Sequence, residues 1–184
     1  MTCGRIDLGC TKCRLSKKRT LVVPGNGPCS SRIVFIGEAP GRDEDVTGEP
    51  FVGAAGKLLN AALEKAGVPR SQVFCTNIVK CRPPDNRKPR KDEIRTCTEL
   101  YLSFELETVR PRVVCALGQT ATGCLIGLEG KMSDAVGRGM SRTICGRPVK
   151  FFAAYHPAAV LYQRKKMKDF QESVRAALVA AGLI

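Results

Sequence analysis

Residues 32–53, RIVFIGEAPGRDEDVTGEPFVG, constrain this chain most. Arg32-Ile33-Val34-Phe35-Ile36 is a short run of β-branched and aromatic residues and reads as a buried strand. The run stops at Gly37 and the chain turns through Ala39-Pro40-Gly41, where Pro40 fixes its own φ and Gly41 carries no Cβ. A turn at the carboxyl end of a strand is where open α/β sheets bind ligands. Four acids, Glu38, Asp43, Glu44 and Asp45, gather here in a chain of net charge +13. Phe51 then stands alone between Pro50 and the glycines that lead into a helix. An aromatic so placed is suited to stacking on a flat ligand. An ordinary βα loop whose phenylalanine tucks into the core is the alternative.

The rest of the chain alternates in kind. Leu58, Leu59, Ala62, Leu63 and Ala66 recur at helical spacing from about Ala55 to Ala66, and Gly67 with Pro69 supplies the stop. Val73 to Val79 reads as a second strand and Arg112 to Gly118 as a third, with Val149 to Ala154 as a fourth. Cys81 to Lys91, with three prolines, is a loop. Asp92 is placed to cap a helix running to about Val109, whose Ile94, Cys97, Tyr101 and Phe104 share one inward face. Gln119 to Ile126 is a short helix, Gly127 to Gly139 a glycine-rich loop, and residues 166–181 the last helix. Strands alternating with helices predict a parallel sheet covered on both faces. No linker or repeat divides the 184 residues, so one domain over 1–184 is expected.

Charge narrows the partner. Thirty Lys plus Arg stand against 17 Asp plus Glu, which points to a polyanion, nucleic acid before an anionic membrane surface. No run approaches the ~20 apolar residues that span a bilayer. Met-Thr-Cys-Gly-Arg-Ile-Asp has no apolar signal-peptide core, so an intracellular, cytoplasmic setting is expected.

In that setting the ten cysteines read as thiols or metal ligands rather than disulfides. Cys75 and Cys115, in strand-like runs, and Cys124, in an apolar helix, read as small hydrophobes. Cys10-x2-Cys13 lies in polar surroundings, and Cys81 and Cys97 have fifteen residues between them. Four thiolates from three elements suit either tetrahedral zinc or an iron–sulfur cluster. Spacing alone favours zinc, although the wide second gap is unusual for it. A non-catalytic, zinc-stabilised nucleic-acid-binding module is therefore the rival to an enzyme.

Three motifs decide between them. Gly37-Glu38-Ala39-Pro40-Gly41, Thr76-Asn77-x2-Lys80-Cys81-Arg82-Pro83-Pro84 with Asn86-Arg87, and Tyr155-His156-Pro157-Ala158-Ala159 follow one another along the chain. With the paired cysteines, their order and spacing resemble the family 4 uracil-DNA glycosylases, over about Cys10 to Ala181. The resemblance implies a three-layer α/β/α sandwich on a central four-stranded, mainly parallel sheet. It implies a [4Fe–4S] cluster on Cys10, Cys13, Cys81 and Cys97, with a structural role. It implies a monomeric base-excision enzyme, associated with the nucleoid, that acts on uracil-containing DNA, single- or double-stranded, and on no membrane.

The same resemblance assigns roles within the pocket. Backbone groups of Glu38, Ala39 and Pro40 would line it, Phe51 would stack on the flipped base, and Asn77 would read its edge. His156, the only histidine, would donate to the uracil O2 as charge develops there, and Asn86 would coordinate the attacking water. Ala39 stands where the best-known glycosylases carry an aspartate. Glu44 is the candidate for excluding the methyl group of thymine. Leu161 is the candidate wedge into the gap left by the flipped base, with ordinary core as its alternative. Two departures stand out. The chain has no second histidine of the kind that traps the sugar covalently in a related group, and Tyr162 follows Leu161 where arginine is expected.

Overall fold

A computed structural model describes residue 3, residues 6–128 and residues 130–184. Met1, Thr2, Gly4 and Arg5, part of the stretch read as lacking a signal peptide, lie outside the described residues, as does Glu129 of the glycine-rich loop. Strands β1 (Ile33–Gly37), β2 (Phe74–Asn77), β3 (Val113–Leu117), β4 (Met140–Ile144) and β5 (Arg147–Ala154) form one sheet in the order β2-β1-β3-β5-β4. β2, β1, β3 and β5 run parallel and β4 runs antiparallel to β5.

The sheet therefore has five strands, not the four expected. The extra one, Met-Ser-Arg-Thr-Ile, is largely exposed along its length, so it carries no apolar run for sequence reading to detect. Its charge suits a sheet edge, where apolar strands invite aggregation.

Alternation along the strands splits the core in two. Val34, Ile36, Val114 and Ala116 point to one face, and Ile33, Phe35, Val113 and Cys115 to the other. The second face is covered by α2 (Ala54–Lys65), α6 (Pro157–Tyr162) and α7 (Met167–Ala180), whose Leu59, Leu63, Val160, Phe170 and Val174 are buried there. The first is covered by α4 (Ser103–Val109) and α5 (Gln119–Ile126), together with α3 (Lys91–Cys97) and the cysteine-bearing N-terminal segment. This is the three-layer sandwich expected. α1 (Arg42–Thr47) is a single short helix in the acidic stretch, directly after the Ala39-Pro40-Gly41 turn, and is not assigned from the sequence.

Three local readings change. Asp92 is not the cap of α3: Arg90 is, and its N–H is taken by the Glu93 carboxylate at 2.7 Å, while Asp92 pairs with Arg14 at 2.7 Å. The helix from Lys91 to Val109 is interrupted by a π turn at Thr98–Leu102, closed by the Ser103 backbone N–H on the Thr98 carbonyl, to which Ser103 Oγ also donates at 2.9 Å. The extra residue in that turn slips the inward face by one position. Glu105, Leu106 and Val109 point inward instead, and Phe104 is left 42% exposed. Finally, Cys3 and Cys29 form a disulfide, contrary to the expectation of thiols. The loop through Asn26, which bonds back to Cys75, brings Cys29 beside the N-terminal segment, with Cα atoms 5.4 Å apart.

The slipped register gives a stability test. Leu106→Ala is expected to cost about 2–5 kcal/mol, the range for a buried leucine, and Phe104→Ala under about 1 kcal/mol. Denaturant unfolding of both variants checks this; the reverse order would restore the uninterrupted helix.

Candidate active site

The strand order changes direction between β1 and β3, and open sheets bind ligands outside the carboxyl ends of strands at such a switch point. A pocket of about 400 Å³ opens there. Glu38, Ala39 and Pro40 line it from the turn after β1, and Asn77 from the end of β2. Glu44 of α1 and Phe51 form another wall. Asn86 enters from the loop after Cys81, and His156 from the end of β5. The structure thus brings eight of the expected residues to one cavity.

Asn77 is 4% exposed, and among the described residues no hydrogen bond reaches its side-chain amide. β1 pairs with β2 so that Gly37 stands beside Asn77. A Cβ at Gly37 would lie 2.4 Å from Asn77 Oδ1 and 2.8 Å from Phe51 Cζ, so the missing methyl is the space in which amide and ring sit together.

Phe51 is held in an uncommon conformation. Its φ is 61°, in the left-handed region that residues with a Cβ rarely occupy. Glu44 holds the loop in place. Oε1 accepts from Val52 N at 3.0 Å and Gly53 N at 2.8 Å, and Oε2 accepts from Gly41 N at 3.0 Å. One buried carboxylate therefore clips the Phe51 loop to the turn after β1. Its burial in a wall of backbone amides explains an acid in this stretch better than surface solubility does.

His156 caps α6, with Pro157 at the first helical position. Ala158 N–H donates to His156 Nδ1 at 3.2 Å, which leaves the proton of a neutral imidazole on Nε2. Burial holds the pKa of His156 below its ordinary value, against the opposing pull of Glu38 and Glu44. The ring is thus a neutral donor at neutral pH. Gly118, after β3, is a residue the sequence reading missed: its φ is +93°, and a Cβ there would meet His156 Cβ at 2.8 Å.

Asn86 has φ 53°, and its Oδ1 accepts from Arg82 Nε at 2.7 Å, which orients the amide. Arg87, also lining the pocket, is fixed by two bonds to Glu93 at 2.9 and 2.7 Å. Leu161 is 44% exposed at the end of α6, outside the pocket, so it is not core. Tyr162, beside it, is 90% exposed.

Cys10, Cys13, Cys81 and Cys97 surround a second, smaller cavity near α3. Burial pushes the Cys81 thiol up to about 12 and Cys97 up to about 11, with neighbouring sulfurs adding to both. Two donors already point at sulfur, Lys80 N to Cys97 Sγ at 3.2 Å and Arg19 Nη1 to Cys81 Sγ at 3.6 Å. Among the described residues no three His, Cys, Asp or Glu side chains converge as one metal ion would need. Cys75 and Cys115 are fully buried core residues, as expected, and Cys124 is half-buried. No described helix is long and apolar enough to cross a membrane.

Comparison with known proteins places the chain in a family. The profile of the Uracil DNA glycosylase superfamily matches residues 24–179, from before β1 to the end of α7. A type-4 uracil-DNA glycosylase of Archaeoglobus fulgidus is 43% identical over 172 residues, covering 91% of this chain and 86% of the relative. One of Saccharolobus solfataricus is 44% identical over 171 residues, covering 90% and 79%. A type-5 uracil-DNA glycosylase of Pyrobaculum aerophilum is less similar, 31% identical over 179 residues, covering 88% and 77%. The chain belongs to the uracil-DNA glycosylase superfamily and resembles its type-4 members more than this type-5 one.

Proposed function

We propose that the protein is a monofunctional uracil-DNA glycosylase, which flips uracil out of DNA, hydrolyses the base–sugar bond and leaves an abasic site in an uncut strand. One observation carries this reading. A buried asparagine whose side-chain amide has no hydrogen-bond partner among the described residues lies against an aromatic ring, in a pocket that also holds a neutral imidazole donor.

The chemistry follows from those groups. Uracil presents N3–H as a donor and O4 as an acceptor, and one face of the Asn77 amide matches both. Cytosine reverses the pair and leaves buried groups unmatched, which costs more than a lost contact. Phe51 stacks on the base, which must leave the duplex before it can be reached. As the bond to the sugar lengthens, negative charge gathers on O2, and the His156 Nε2–H stabilises it as an oxyanion-hole donor does. The oxocarbenium-like sugar then takes a water held by Asn86. No strong base is needed for that addition, which suits an amide. Glu44 excludes the thymine methyl by fixing the two loops that form the pocket wall. Leu161, exposed beyond His156, fills the gap in the stack.

Cys10, Cys13, Cys81 and Cys97 fit a [4Fe–4S] cluster: four sulfurs around one cavity, two of them already receiving N–H donors. Such a cluster, when bound, cross-links the N-terminal segment to the loop before α3. Arg82, Lys88, Arg90 and Lys91 on that loop are then held ready for phosphates. A zinc-stabilised binding module would leave the pocket without a role. We read the chain as one domain that works as a monomer on cytoplasmic, nucleoid-associated DNA, single- or double-stranded.

Base release from matched oligonucleotides tests the activity. The protein is expected to free uracil, and His156→Ala to slow the single-turnover rate by about 10²–10³, the scale of one oxyanion-hole donor, with DNA binding kept. An unchanged rate removes His156 from the mechanism, and no release from either protein removes the activity. Iron and acid-labile sulfide should each come to about four per chain. Zinc without sulfide would restore the rival ligand set.

A further inference from the structure

Beneath the pocket lies a charge pair that this chemistry does not use. The side chains of Lys80 and Glu105 are 0% and 1% exposed, with Nζ 2.6 Å from Glu105 Oε2. The ammonium gives its other two N–H groups to Thr76 Oγ1 at 2.6 Å and to the Asn77 carbonyl at 2.7 Å. Thr76 Oγ1 donates to Glu105 Oε2 at 2.7 Å, and Glu105 Oε1 accepts from Gly25 N at 2.7 Å. Every donor of the ammonium is matched, as a buried charge requires. A well-packed apolar pair would often hold a fold equally well, so packing alone does not explain two buried charges.

Their position supplies a reason. Thr76 and Asn77 are successive residues of β2 and point to opposite faces of the sheet. Thr76 meets Lys80 and Glu105 on the α4 face, and Asn77 meets Gly37 and Phe51 on the other. The Asn77 amide has no hydrogen bond from the described residues, so its aim depends on its backbone and on those two contacts. Lys80 grips the carbonyl that leaves the Asn77 Cα. Lys80 is itself pinned at both backbone ends, its N–H on Cys97 Sγ at 3.2 Å and its carbonyl receiving Val23 N at 2.7 Å.

We propose that Lys80 and Glu105 are positioning residues that aim the Asn77 amide at the base. The inference rests on the reading of Asn77 as the residue that recognises uracil. Neither residue touches the substrate. Each acts through the peptide that follows Asn77.

The test is a double-mutant cycle. Lys80→Met combined with Glu105→Gln removes both charges together and keeps an acceptor for Gly25, so no lone charge stays buried. This pair variant, Asn77→Ala and the combination of the two are compared with the parent in single-turnover uracil release, using protein of equal iron and sulfide content. The pair variant should release uracil at least about tenfold more slowly, the scale of a misaimed group. In the Asn77→Ala background the same change should cost less than about twofold, because the amide it aims is gone. A parental rate in the pair variant, or an equal loss in both backgrounds, overturns the proposal. If Asn77→Ala itself works at the parental rate, the reading of Asn77 fails, and that outcome is distinct from failure of the pair. Should the pair variant not fold, Thr76→Val removes one partner of the ammonium and enters the same cycle. It should be slower than the parent and add little to Asn77→Ala; an unchanged rate overturns the proposal.

Discussion

The register between two parallel strands sets the rest of the site. Because β1 pairs with β2 one way and no other, Gly37 falls beside Asn77. The space a Cβ would have filled is occupied by the asparagine amide and the edge of Phe51. A slip of one residue would turn Asn77 to the opposite face of the sheet. It would also bring Thr76, already committed to Glu105, towards the pocket. The left-handed backbone of Phe51 and the Glu44 carboxylate that clips its loop both serve that one juxtaposition.

The sheet divides the work between its faces. On one side lie the base-reading groups, backed by α2, α6 and α7. On the other lie the four cysteines, the N-terminal segment and the buried pair under α4. β2 and the residues just after it join the two sides: within five residues it carries Asn77, Lys80 and Cys81.

Much of this was legible in the chain itself. The strand ends before Glu38 and Tyr155 could be placed because apolar runs stop there, and ligand sites gather at such ends. The second strand reads two residues too long, because Ile78 and Val79 continue the apolar run past Asn77, where β2 ends. What the sequence hides is geometry across distance. Gly118 matters through contact with His156, 38 positions later, and no local pattern announces that. The π turn at Thr98–Leu102 breaks no composition rule, yet it turns Phe104 out and Glu105 in, and so makes the pair with Lys80 possible. β4 was invisible because an exposed edge strand has no need of apolar residues. The Cys3–Cys29 bridge depends on where the loop through Asn26 returns, which spacing cannot give.

The central claim is that a side-chain amide at the end of β2 reads uracil, and Asn77→Asp tests it most directly. An ionised aspartate could accept from N3–H but would set a second acceptor against O4. Cytosine offers an amino donor in place of O4, and a protonated carboxyl could donate to its N3. Base release from matched uracil and cytosine oligonucleotides across pH is the measurement. The account predicts uracil release at least about tenfold slower, the scale of one mispaired buried contact, with any cytosine release growing as pH falls and the acid form fills. Uracil release at the parental rate would contradict it.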